Sequence, residues 1–170
     1  MSAKPAMRWQ NLRWLVASLA VIGFDQWTKL LASANLPLHE PVPVAPGFNW
    51  TLAHNLGVAF SLFNDGAGWQ RWGLSGFALL IALVLLRWLL QLTPAERWTA
   101  LGLALVIGGA LGNVIDRVRL GYVIDFIELY AGSYYWPAFN LADSSICVGA
   151  GLLLLGSWRG AHAAGPHSPA

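Results

Sequence analysis

The stretch that decides the fold reads WTALGLALVIGGALGNVI and occupies residues 98–115, directly before Asp116 and Arg117. It carries no charged side chain over 18 residues, and about 20 apolar residues suffice for a helix to cross the hydrocarbon core of a bilayer. Three further apolar stretches cover residues 12–32, 69–90 and 141–158. The sequence therefore predicts an all-α integral membrane protein with four transmembrane helices.

The composition of the whole chain agrees with residence in lipid. Of the 170 residues, 56% are hydrophobic and 11% are charged, and the mean hydropathy is +0.54. The ten basic residues form no run, so the formal net charge of +2 does not indicate a nucleic-acid partner. The single cysteine, Cys147, excludes an intramolecular disulfide. We expect one membrane domain over residues 1–160 and a disordered tail over residues 161–170.

The basic residues at or beyond the ends of the apolar stretches predict the orientation in the membrane. Short cytoplasmic loops are enriched in Lys and Arg. Six such residues share one side if both termini are cytoplasmic: Lys4, Arg8, Arg13, Arg87, Arg97 and Arg159. The two connections on the opposite side, residues 33–68 and 117–139, are longer and contain β-prone segments. We therefore expect a small extended platform at the outer surface.

Four aspartates lie within or just beyond the apolar stretches, where an ionisable group is costly and usually functional. At about 1.5 Å per helical residue, Asp25, Asp116 and Asp143 all lie about 20–26 Å from the inner ends of their predicted helices. Asp125 follows Asp116 by nine residues on a segment that returns to the membrane. The sequence therefore predicts that four carboxylates converge in one polar site near the outer face.

The spacing around these carboxylates separates them into two pairs. Asp25, Thr28 and Lys29 lie at positions i, i+3 and i+4 of one helix. Asn113, Asp116 and Arg117 have the same spacing on a second helix. Asp25 and Asp116 are therefore predicted to be structural and already paired with cations. Asp125 and Asp143 have no obvious local cation.

Two carboxylates without a cation can share one proton. The ionised one can then take a proton from water while the protonated one hydrogen-bonds a scissile carbonyl, as in aspartic proteases. A structural role or an ion path is the alternative that spacing alone leaves open.

Five stretches follow one another in an order and spacing that match a known family. They are DQWTK at residues 25–29, NLGVAFS at 55–61, GGALGN at 108–113 continuing to Asp116 and Arg117, GYVIDF at 121–126, and FNLADS at 139–144. These stretches resemble the lipoprotein signal peptidases of bacteria, also called signal peptidase II or prolipoprotein signal peptidases. The resemblance covers most of the chain.

The resemblance implies an architecture and a set of functional residues. It implies four transmembrane helices with both termini cytoplasmic, a small periplasmic β-cradle, and a short periplasmic helix over the site. Asp125 and Asp143 would form the catalytic dyad. The residues implied to bind substrate or support the site are Asp25, Lys29, Asn55, Gly57, Asn113, Asp116, Arg117 and Asn140.

The resemblance also implies an activity. A member of this family is a membrane aspartic endopeptidase that removes the signal peptide from a diacylglyceryl-modified prolipoprotein, on the N-terminal side of the lipidated cysteine. It would use no metal and no cofactor. Its partners would be prolipoproteins, membrane lipid and globomycin-type inhibitors, and it would lie in the bacterial inner membrane with its active site at the periplasmic face.

Some of these residues also fit other interpretations. A small ion or proton transporter would also use intramembrane carboxylates, but such a path needs polar groups near the midplane, and few are present. Gly73 to Gly76 matches a GxSG serine-protease pattern, yet every histidine lies outside the predicted spans, so Ser75 is expected to pack. Asn55 and Gly57 fit a turn and a backbone clamp for an extended peptide equally well.

Overall fold

The computed structural model describes residues 7–57 and 68–163, with side chains described up to residue 156. A short 3-10 helix, Trp9–Trp14, leads into the first of four helices. These are α1 (Leu15–Asn35), α2 (Trp69–Leu89), α3 (Arg97–Leu120) and α4 (Leu141–Ala163). The strands are β1 (Val42–Ala45), β2 (Phe48–Asn55), β3 (Val123–Ala131) and β4 (Tyr134–Tyr135).

The helices confirm the apolar stretches predicted from the sequence. Within the described ranges, three helical segments are long and apolar enough to cross a membrane: Trp9–Asn35, Trp69–Leu89 and Arg97–Leu120. The part of α4 whose side chains are described, Leu141–Gly156, is a shorter apolar helical segment.

Two helices are longer than the apolar stretches they contain. The stretch 98–115 lies within α3, which continues to Leu120 and carries Asp116 and Arg117, the helix on which their spacing placed them. It ends where Gly121 adopts a left-handed conformation with φ of 92° and donates its N–H to the Arg117 carbonyl, a common way for glycine to terminate a helix. Helix α4 continues to Ala163, so the disordered tail predicted from residue 161 begins three residues too early. Residues 164–170 lie outside the described part.

Helix α3 is the centre of the bundle, since α1, α2 and α4 all pack against it. Small residues allow these contacts: a Cβ atom at Gly108 would lie 2.9 Å from the Ser18 backbone, and one at Gly109 would collide with the Ala142 carbonyl. Glycine therefore lets α1 and α4 approach the backbone of α3 closely. This approach brings residues of three helices together where Asp25, Asp116 and Asp143 lie.

The predicted platform is a four-stranded antiparallel sheet in the order β1-β2-β3-β4. It covers the end of the bundle formed by the last turns of α1 and α3 and the first turn of α4, which we call the sheet-side end. Ala32 of α1 packs there with Leu52, Ile124 and Phe126 of the sheet. The short helix that the resemblance implies has no counterpart in the described ranges, and residues 58–67 lie outside them.

Candidate active site

Asp125 lies at the start of β3, opposite Ala53 of β2, and is 2% exposed. Its two carboxylate oxygens accept hydrogen bonds from side-chain amides, Oδ2 from Asn55 Nδ2 at 2.9 Å and Oδ1 from Asn140 Nδ2 at 2.7 Å. Burial raises the pKa of Asp125 to about 6, and the nearby charge of Asp143 acts in the same direction against the two amide hydrogen bonds and the charge of Lys29. This carboxyl group therefore retains its proton at a higher pH than an ordinary aspartate.

Asp143 lies in the first turn of α4 and is held by a reciprocal cap. Its N–H donates to Asn140 Oδ1 at 2.9 Å, and its Oδ2 accepts from the Asn140 N–H at 3.3 Å, the arrangement of a helix capping box. Its Oδ1 accepts from Asn113 Nδ2 at 2.8 Å. This carboxylate therefore accepts both a side-chain amide and a backbone N–H at the N-terminus of a helix.

Asn140 joins the two carboxylates and is fully buried. Its side-chain nitrogen donates to Asp125, and its side-chain oxygen and backbone N–H both bind Asp143. The same nitrogen lies 3.2 Å from Asn113 Oδ1 and from the Ile124 carbonyl oxygen. The structure thus brings Asp125, Asp143, Asn113 and Asn140 into one hydrogen-bonded group, as the sequence predicted for the positions of the carboxylates.

Lys29 lies at the centre of a buried ion cluster and is 1% exposed. Its Nζ is 2.8 Å from Asp25 Oδ2 and 2.7 Å from Asp116 Oδ2. Asp25 also accepts the Ala142 N–H at 2.9 Å, and Asp116 accepts the Ile124 N–H at 3.2 Å. These two carboxylates therefore fix the first turn of α4 and the start of β3, the two segments that carry Asp143 and Asp125.

The pairing of Asp25 with Lys29 is the one predicted from spacing, whereas the cation of Asp116 is Lys29 rather than Arg117. Adjacent residues on a helix do not face each other, and Asp116 instead faces Lys29 on the neighbouring helix α1. Its charge acts on Asp116, Asp125 and Asp143 without an ion pair among the described residues. The Nε atom of Arg117 is buried and has no hydrogen-bond partner in the described part of the chain.

Asn55 and Gly57 form a tight turn at the end of β2. The Gly57 N–H donates to Asn55 Oδ1 at 2.7 Å, and Gly57 has a φ of 85° that disfavours other residues. A Cβ atom at this position would collide with Leu74 of α2. The turn aims the Asn55 amide at Asp125, so of the two interpretations left open the turn is present in the structure.

Gln26 belongs to the hydrogen-bonded network, although it was not predicted as a site residue. Its Nε2 donates to Asp116 Oδ1 at 2.8 Å and lies 3.3 Å from both Asp25 Oδ2 and the Gly112 carbonyl oxygen. Gln26 therefore ties α1 to α3 beside the ion cluster. Its place within the DQWTK stretch was the available signal.

The alternative functions receive no support from these contacts. The Ser75 hydroxyl donates to the Arg71 carbonyl at 2.6 Å within α2, so it packs, as expected. Asn11 and Ser18, buried toward the opposite ends of the helices, bind backbone carbonyls. In the described ranges, the charged residues that are buried all lie at the sheet-side end: Asp25, Lys29, Asp116 and Asp125.

Relatives of the chain carry one consistent name. A protein of Teredinibacter turnerae is 51% identical over 150 residues, which are 88% of this chain and 89% of that protein. One from Xylella fastidiosa is 49% identical over 161 residues, covering 93% and 95%. One from Acinetobacter baumannii is 48% identical over 145 residues, covering 85% and 82%. Each is called a lipoprotein signal peptidase.

The fold is also similar to solved structures of bacterial membrane enzymes. One has a TM-score of 0.78 at 24% identity and covers 99% of both chains. Another has a TM-score of 0.75 at 26% identity and covers 90% of this chain and 96% of the other. The family model described as signal peptidase (SPase) II matches residues 17–159. The chain therefore belongs to the signal peptidase II family, and it is a membrane aspartic protease.

Proposed function

We propose that this protein removes the signal peptide from diacylglyceryl-modified prolipoproteins, on the N-terminal side of the lipidated cysteine, with Asp125 and Asp143 as its catalytic dyad. The observation that carries the proposal is a contrast within one network. Asp25 and Asp116 share an ion pair with Lys29, whereas Asp125 and Asp143 receive only amide and backbone donors among the described residues.

The environments of the two carboxylates assign their roles. Burial raises the pKa of Asp125 to about 6, so we assign to this residue the proton that hydrogen-bonds the scissile carbonyl oxygen. Asp143, which accepts N–H donors at a helix N-terminus, is assigned the role of the base that takes a proton from water. The water oxygen then bonds to the carbonyl carbon, and the carbonyl oxygen receives the proton of Asp125. When the C–N bond breaks, Asp143 gives its proton to the leaving nitrogen and Asp125 recovers its own.

The remaining site residues support this chemistry in different ways. Asn113, Asn140 and Asn55 orient the dyad. Arg117, whose Nε has no hydrogen-bond partner among the described residues, and the turn at Gly57 would bind the backbone of an extended peptide. Globomycin-type cyclic peptides would occupy the same place.

The setting in the membrane follows from the length and charge of the helices. Helix α4 has 23 residues, a length of about 34 Å, which is enough for a fourth span. Arg13, Arg87 and Arg97 lie at the ends away from the sheet. We assign these ends and both termini to the cytoplasm of a bacterial inner membrane, with one domain over residues 1–160. The sheet and the dyad then lie at the periplasmic face of the membrane. There the acyl chains of the substrate stay in the lipid while water reaches the site.

The test is cleavage of a diacylglyceryl-modified lipobox peptide by the purified protein, with the product masses locating the bond. Wild-type protein and the exposed control Glu40→Gln should cleave before the lipidated cysteine, with or without a chelator. Asp125→Asn and Asp143→Asn should fold and leave the substrate intact. Cleavage by either dyad variant at the wild-type rate would refute the assignment, and cleavage at another bond would refute the proposed reaction.

A further inference from the structure

We propose that Lys29 is a positioning residue for Asp143, because its ammonium group fixes the orientation of the Asn113 amide that donates to Asp143. The inference rests on the proposed function of the dyad. Lys29 would then have a second role besides its ion pairs with Asp25 and Asp116. This role connects a residue of α1 to the proposed reacting carboxylate on α4.

The chemistry of an ammonium group determines the orientation. Lys29 Nζ has three N–H donors and no acceptor, and three oxygens surround it: Asp25 Oδ2 at 2.8 Å, Asp116 Oδ2 at 2.7 Å and Asn113 Oδ1 at 2.9 Å. The Asn113 oxygen must therefore face Lys29. Its NH2 group then faces Asp143 Oδ1, which lies 2.8 Å from Nδ2.

The reversed amide would be unfavourable at both ends. Its NH2 group would face an ammonium and its oxygen would face a carboxylate. Asn140 Nδ2 also points toward Asn113 Oδ1, but at 3.2 Å, while it lies 2.7 Å from Asp125. Lys29 is therefore the stronger of the two donors that hold Asn113.

Burial increases the effect. Lys29 and Asn113 are 1% and 7% exposed, and a hydrogen bond from a charged donor in such surroundings polarises the next bond in the chain. The hydrogen bond from Asn113 Nδ2 to Asp143 Oδ1 should therefore be stronger and hold this carboxylate more firmly. The other charged groups that act near this carboxylate are Asp125 on β3 and Arg117 on α3.

The two possible roles of Lys29, counter-charge alone or positioning residue, lead to different results when all three members of the ion cluster are replaced by uncharged residues. The first variant is Lys29→Met, which should lose stability because two buried carboxylates lose their cation. The second is Lys29→Met combined with Asp25→Asn and Asp116→Asn, which leaves no unpaired charge. Thermal unfolding in detergent, kcat, KM and the pH profile are measured for both on the lipobox substrate.

We expect the triple variant to regain most of the lost thermal stability yet to keep a loss in kcat of about 100-fold, with a smaller change in KM. The pH profile of cleavage should also differ from that of the wild-type protein, because the Asn113 amide no longer has a fixed orientation toward Asp143. Recovery of the wild-type kcat and pH profile would show that Lys29 acts only as a counter-charge for Asp25 and Asp116.

A second variant keeps the test decisive if the triple variant does not fold. Asn113→Asp retains an oxygen for Lys29 but, when ionised, has no N–H to donate to Asp143. It should lose kcat to a similar extent, and adding Lys29→Met should lower kcat little further. A wild-type kcat in Asn113→Asp, or fully independent effects of the two substitutions, would overturn the proposal. Failure of the proposed function itself would appear separately, as wild-type protein that does not cleave.

Discussion

Two pairs of aspartates lie in one buried network, and the groups around them differ. Asp25 and Asp116 share the ammonium group of Lys29, and each also accepts a backbone N–H from a neighbouring segment. Asp125 and Asp143 accept hydrogen bonds from neutral amides and backbone. The carboxylates paired with Lys29 hold two segments in place, and we propose that the two that have no ion pair among the described residues exchange protons with the substrate and water.

The largest expected effect on stability comes from changing one of the two aspartates that share Lys29. Asp25→Ala leaves the buried Lys29 with one fewer carboxylate and leaves the Ala142 N–H without its acceptor. Removing one member of a buried ion pair costs about 3–5 kcal/mol. Chemical unfolding in detergent should show a loss of this order. Glu40→Ala, at an exposed acidic residue, should change the free energy of unfolding little, and an equal loss in both variants would contradict the contrast.

The second prediction concerns Asn140, the residue that joins the proposed catalytic pair, Asp125 and Asp143. Asn140→Ala removes the amide between Asp125 and Asp143, so cleavage should fall by about 100-fold or more. The loss of the helix cap should cost about 0.5–2 kcal/mol of stability. Measuring kcat and the melting temperature on the same preparation separates the two effects. A loss of cleavage that merely follows the loss of folded protein would contradict a role in orientation.

The third prediction is a pH dependence specific to Asp125. Its pKa is raised from 3.8 to about 6 by burial, so the folded protein binds this proton more tightly than the unfolded chain does. The resulting stability is fully present below about pH 4 and is lost as the pH rises through about 6. Because the proposed mechanism needs protonated Asp125, kcat/KM of the wild-type protein should also fall as the pH rises above about 6.

Asp125→Asn is the matched control for this pH dependence. Its melting temperature should lack the decline between about pH 4 and pH 6 that the wild-type protein shows, since the titrating group is gone. An unchanged decline in Asp125→Asn would assign the effect to another group.

The smallest expected effect lies in the turn between the two pairs. Gly121 connects Asp116 in α3 to Asp125 in β3 and has a φ of 92°. Gly121→Ala should cost about 1 kcal/mol and reduce cleavage slightly by shifting the two pairs relative to each other. Gly151→Ala is the control, because a Cβ atom there has no neighbour within 4 Å and Gly151 lies within a helix. Equal melting temperatures in the two variants would argue against strain at Gly121.

Much of this arrangement could be predicted from the sequence, because the fold depends on long apolar stretches and on the depth of each aspartate along its helix. The pairing of Asp25 with Lys29 was predictable for the same reason, since it is local to one helix. The pairing of Asp116 with Lys29 was not, because it depends on how α1 and α3 pack. The role of Gln26 and the bridging contacts of Asn140 likewise involve more than one segment, and helical periodicity contains no information about them.

The most direct test of the account changes each of the four aspartates to asparagine and measures melting temperature and cleavage on the same preparation. We predict that Asp125→Asn and Asp143→Asn melt near the wild-type temperature and do not cleave the lipobox substrate. We predict that Asp25→Asn and Asp116→Asn melt at a lower temperature and still cleave this substrate while folded. A folded Asp25→Asn or Asp116→Asn without cleavage, or cleavage by Asp125→Asn or Asp143→Asn at the wild-type rate, would contradict the division into structural and catalytic pairs.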